Sequence, residues 1–126
     1  MSADAISILD PQTGRYIDCN DAALKMAGGG DKSWVLAQSP ESLAPERQPA
    51  GRSSTEAAQT WIERALALGT QRFEWTGRRL NGEEVPMEVL LTPVRHGGSA
   101  RLIVVARDIL ERKAAERELL ELNQSL

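Results

Sequence analysis

Apolar and polar positions along the chain switch between a two-residue and a three-to-four-residue rhythm, and the switches mark its elements. Residues 5–9 (AISIL) and 15–19 (RYIDC) are short alternating runs on either side of Asp10-Pro11-Gln12-Thr13-Gly14. Two such runs around a Gly-containing loop predict a β-hairpin. Alternation puts Ile17 and Cys19 on one face of the second strand and Asp18 on the other. Asn20-Asp21 supplies a side-chain oxygen for the free N–H groups of a short helix over 22–27, and Gly28-Gly29-Gly30 ends it. In residues 31–52, Asp31 caps a turn carrying Trp34, Val35 and Leu36, and Ser39-Pro40-Glu41 opens a second single-turn helix. Ser53-x-x-Glu56 is a capping box before an amphipathic run. There Ala58, Trp61, Ile62, Ala65 and Leu66 recur at helical spacing, until Gly69.

Three strands follow, over residues 71–80, 83–94 and 100–107, joined by turns at Asn81-Gly82 and Gly97-Gly98. Phe73 and Trp75 share a face, as do Val85, Met87, Val89 and Leu91. The last strand differs. It presents Leu102, Val104 and Ala106 on one side and Ile103 and Val105 on the other. The chain's own helices can cover one side only, so the other needs a separate cover, and a partner subunit is the natural one. Residues 108–126 then change character, being dominated by Ala, Glu, Lys, Leu and Arg without Gly or Pro. Asp108-x-x-Glu111 has capping-box spacing, with Asp in the hydroxyl's place. Ala115, Leu119, Leu122 and Leu126 step as the a and d positions of a coiled coil.

Composition narrows the function. The chain has 126 residues and a net charge of -3. That fits one domain and excludes a basic protein built to neutralise duplex phosphates. No apolar run approaches the ~20 residues needed to span a bilayer, and no signal peptide is visible, so none is expected. One cysteine, Cys19, makes no intrachain disulfide, consistent with a reducing, cytoplasmic setting. One His and one Cys do not make a zinc site of the usual kind.

The ordered set of motifs resembles a PAS domain, the sensory fold of bacterial signalling proteins, and most of all those of sensor histidine kinases. The match is carried by Asp4-Ala5-Ile6, Asp10-x-x-Thr13-Gly14-Arg15, Asn20-Asp21-Ala22-Ala23 and Phe73-Glu74-Trp75. It continues through Arg79-x-Asn81-Gly82-Glu83-x-x-Pro86-x-Glu88-Val89 and the exit Arg107-Asp108-Ile109-Leu110-Glu111-Arg112-Lys113. The resemblance implies an α+β fold: a five-stranded antiparallel sheet of order 2-1-5-4-3 with short helices on one face enclosing a small cavity. It implies a sensory domain over 1–108 and a signalling helix over 109–126, leading to a covalently linked output domain. A histidine kinase is the first choice, with a cyclic-dinucleotide enzyme or chemoreceptor as alternatives. Asp108, Ile109, Glu111 and Arg112 would relay the signal. Ile103, Val105, Leu119, Leu122 and Leu126 would form a homodimer interface. Leu110 stands where the family carries Thr or Ser. The start, directly on a strand, suggests a segment of a longer protein.

The resemblance also frames the ligand question. A flavin-adduct photosensor of this fold carries Asn-Cys-Arg on a short helix, and residues 31–52 contain no cysteine. Heme in this fold hangs from a histidine on the longest helix, and residues 54–68 have none; His96 lies in a turn. No cofactor is expected. Tyr16, Asn20, Trp61, Phe73, Trp75 and Met87 are candidates to line a pocket for an unidentified small ligand, or to fill a core. Two rivals remain. A small isomerase would use Asp18 as a base, needing an apolar pocket to raise its pKa. An interaction-only domain would bind no ligand at all.

Overall fold

The computed structural model describes residues 4–125. Strands β1 (Ala5–Leu9) and β2 (Tyr16–Cys19) precede helices α1 (Asp21–Met26), α2 (Lys32–Leu36) and α3 (Ser54–Leu68). Strands β3 (Gln71–Arg78), β4 (Glu84–His96) and β5 (Ser99–Asp108) follow, and α4 (Leu110–Ser125) leaves the sheet. The strands form one antiparallel sheet ordered β2-β1-β5-β4-β3. Since β1 and β5 pair at its centre, the two ends of the domain's chain lie side by side.

Local chemistry accounts for most element ends. Asn20, Asp31 and Ser53 cap their helices by accepting N–H bonds from Ala23, Trp34 and Glu56. Gly97 and Gly98, both with positive φ, make a two-residue turn between the paired His96 and Ser99. The inner sheet face packs Ala5, Leu9, Val89, Leu91, Leu102 and Ala106 against α3 residues Ala57, Ala58 and Ala65. Small side chains on α3 let the helix sit close to the strands.

Four local expectations need correction. A bulge between β1 and β2 pairs Ile8 with Asp18 but Leu9 with Tyr16, leaving Ile17 as the extra residue. Ile17 is therefore 39% exposed while Cys19 is buried. Ser39-Pro40-Glu41 begins a single hydrogen-bonded turn, with Ser42 and Leu43 N–H groups on the Ser39 carbonyl. Pro45 follows too soon for a helix. The Asn81-Gly82 hairpin is wider than a two-residue turn. Arg79 N–H bonds the Glu83 carbonyl, and Gly82 (φ 92°) closes a three-residue tip. Finally, Asp108 makes no capping box. Its carboxylate accepts the Leu110 N–H at 2.8 Å, while the Ile109 carbonyl accepts from Lys113 and so starts α4.

The outer sheet face carries one apolar row and a second that ends on Thr92, both set by strand register. Ile6, Val105 and Leu90 lie across β1, β5 and β4, and Ile8, Ile103 and Thr92 lie beside them. Ile103 and Val105 are half-buried and Ile6 is exposed. A third row, Glu74–Glu88–Arg107, is charged and lies toward the root of α4.

Candidate functional site

Between the inner sheet face and the helices lies a cavity of about 110 Å³. Its aromatic wall forms because α3 sets Trp61 over β3. The Trp61 and Phe73 rings stack at 4.1 Å, and Phe73 meets Trp75 edge-on at 6.4 Å. Arg64 lies 5.1 Å over the Trp61 ring on its other approach. Ala23, Met26 and Ala27 bring α1 and its end to the cavity, and Met87 brings β4. Tyr16 reaches it from β2 and Ser7 from β1. Burial raises the Tyr16 phenol well above its ordinary value, and the negative charge of Glu41 adds to this.

Beside the cavity, Arg79 ties three elements together. Its guanidinium donates to the Lys25 and Met26 carbonyls at 3.1 and 3.2 Å, where α1 ends and its dipole is negative. It pairs with Glu83 at 3.0 Å and lies 3.7 Å from Asp108. The Leu80 N–H bonds the Ala27 carbonyl, so the β3–β4 hairpin is stitched to α1 by backbone as well. Gly28 permits the approach: its φ is 102°, and a Cβ there would come within 2.9 Å of the Leu80 nitrogen.

The exit helix is seated by charge. Lys113 and Arg112 reach Glu74 at 2.7 and 3.0 Å, and Arg112 also reaches Glu88 and Glu116, each at 3.5 Å. Lys113, first by its hydrogen bond, holds the Glu74 carboxyl below the usual range. Ile109 is buried, and its N–H bonds the Pro86 carbonyl on β4.

Comparison with known proteins bears on this arrangement. A family profile described as the PAS fold matches residues 2–114. The chain belongs to the PAS family.

Solved structures agree with that assignment. The PAS domain of an HTR-like protein from Haloarcula marismortui superposes with a TM-score of 0.70 at 26% identity, covering 86% of this chain and 83% of that one. A domain of a sensory box sensor histidine kinase/response regulator from Geobacter sulfurreducens gives 0.67 at 23%, covering 83% and 82%. An RNA-binding light-oxygen-voltage receptor gives 0.73 at 23%, covering 96% of this chain and 34% of that one. Among curated proteins, none matches significantly.

In this PAS domain, Tyr16, Trp61, Phe73, Trp75 and Met87 lie on the cavity wall. Asn20 does not. Its side chain accepts N–H bonds from Ala23 and Ile6 and donates to the Asp4 carbonyl, which fixes α1 to β1 instead. Cys19 is buried on β2 and is absent from the residues lining the cavity. Asp18 is exposed and paired with Lys32 at 2.7 Å. The Lys32 hydrogen bond lowers its carboxyl pKa. That is the reverse of what an isomerase base needs, and the enzyme reading is set aside. Asp108, Ile109 and Arg112 all take part in the exit joint, whereas Glu111 is exposed in the first turn of α4. Leu119 and Leu122 are exposed on α4, and Leu126 lies outside the described residues.

Three participants escaped sequence reading. Arg79 stood only as part of a motif, and Glu74 reads as a solvent-facing charge. Gln48 gave no signal at all. It is buried, accepts the Thr76 N–H at 2.8 Å and donates to the Thr76 carbonyl at 3.0 Å and to Ser54 at 2.8 Å. Its side-chain amide thereby acts as a strand neighbour of β3.

Proposed function

We propose that this PAS domain is the sensory and dimerisation module of a cytoplasmic bacterial signal-transduction protein, and that α4 carries its state to a histidine kinase. The observation that carries the reading is the chain of contacts from the cavity wall to the exit. The end of α1 lines the cavity, Arg79 holds its last carbonyls and lies beside Asp108, and Asp108 holds the first turn of α4. Any shift of the α1 wall acts on the helix root through one side chain. A ligand moves such a balance by its differential affinity for the two arrangements. The sensor histidine kinase origin of one structural neighbour supports the choice of output.

The second copy is argued from the outer face. The two largely apolar rows stand partly open there, and both signs of charge rim them, with Arg72 beside Glu88 and Glu74 beside Lys113. A surface of mixed sign can face itself about a two-fold axis. Leu119 and Leu122 are exposed three residues apart on α4 and offer a second apolar strip there. Sedimentation equilibrium tests this: the chain is expected to be dimeric and Val105→Arg monomeric but folded. A compact monomer at high concentration would overturn the reading.

A further inference from the structure

The cavity has a chemistry of its own. Apart from exposed Arg78, the residues around it carry no charge; besides the indole N–H groups of Trp61 and Trp75, its polar side chains are the hydroxyls of Ser7 and Tyr16 on adjacent strands. Neither hydroxyl is hydrogen-bonded to another protein group among the described residues. Both line the cavity's open space, and a hydroxyl there can donate to or accept from a ligand's polar atom. An ion would be costly in the aromatic interior, because the one charged side chain at the wall, Arg78, is exposed and the rest of the lining is uncharged. The Glu41 field felt by Tyr16 adds a specific penalty for an anion. Size is the last constraint. An apolar cavity of ~150 Å³ takes up benzene, so 110 Å³ beside three aromatic rings sets a single small ring as the upper limit.

We propose that the cavity binds a neutral, single-ring aromatic molecule bearing one small hydrogen-bonding group. Its ring packs against Trp61, Phe73 and Trp75, and its polar atom meets Tyr16 and Ser7. The inference deepens the sensory reading and rests on it for the purpose of binding. The chemistry of binding rests on the cavity alone.

The test is a titration of the whole chain with phenol, toluene and benzoate, followed by NMR at the Trp61 and Trp75 indole resonances. Phenol is expected to saturate, toluene to bind more weakly by roughly threefold to tenfold, the worth of one hydrogen bond, and benzoate to leave the spectrum unchanged. Tyr16→Phe should bring phenol toward toluene and spare toluene itself. Ser7→Ala should weaken phenol in the same sense. Absence of saturable binding by either neutral ring would overturn the proposal. So would benzoate binding as tightly as phenol, or phenol affinity unchanged in both variants. A dimer that binds neither ring removes this inference alone, and a monomer that binds phenol removes the dimeric sensory reading alone.

Discussion

Arg79 and Asp108 meet at 3.7 Å across the junction where β5 gives way to the exit helix. Arg79 is only 24% exposed and its other donors are spent on α1 carbonyls and Glu83, so it is held on three sides. Asp108 is held in turn by the Leu110 N–H. The pair therefore joins the wall of the cavity to the root of α4.

Removing the fork should be felt at both ends. Arg79→Ala is expected to destabilise the domain by about 2 kcal/mol, as for a hydrogen-bonded charged group lost from a partly buried site. Arg79→Lys should recover little, because an ammonium lacks the planar fork that spans two carbonyls and two carboxylates. Chemical denaturation measures the loss. Amide exchange should quicken at residues 25–27 and 110–113 together, which a defect confined to the hairpin would not produce.

The seat of α4 should weaken in acid. The Glu74 carboxyl lies below its ordinary value when folded, so its contribution is complete above the unfolded value of about 4.3. That contribution is lost as pH falls through the lower folded value. Lys113→Met should raise the Glu74 pKa toward normal, read by NMR titration of its carboxyl carbon. Added salt should loosen the same contact, since these side chains face water.

Gln48 predicts a stability effect carried by hydrogen bonds and not by apolar packing. Gln48→Ala strips partners from the Thr76 N–H, the Thr76 carbonyl and the Ser54 hydroxyl at once. Ser54 keeps its bond to the Pro45 carbonyl. A loss of about 1–3 kcal/mol is expected in denaturant unfolding, with the 45–53 loop losing exchange protection first.

These cases show what a sequence carries in its own rhythm. Strand faces, the Ser53 cap and the glycine stops are local, being set by neighbours within four residues. The two apolar sides of β5 are equally local: alternation alone puts Leu102 and Ala106 inside and Ile103 and Val105 on the outer face. Gln48 with Thr76 is a contact across 28 residues, Arg112 with Glu74 across 38 and Arg79 with Lys25 across 54. Such pairs depend on where the sheet brings distant segments together, and no periodicity encodes them. The Ile17 bulge is subtler: one extra residue reverses which face a side chain meets, while the alternation stays unchanged on paper. Asn20 was legible as a cap and as a pocket residue, and the backbone N–H groups around it decide for the cap.

The relay itself is best tested by the distance between the two exit helices of a dimer. With Cys19→Ala as background and spin labels at Glu118→Cys, pulsed dipolar spectroscopy should give one narrow inter-protomer distance. Introducing Arg79→Ala, in protein shown to remain folded and dimeric, should shift or broaden it. An unchanged distribution, or no dipolar signal from the parent protein, would contradict the coupling of cavity wall to exit helix.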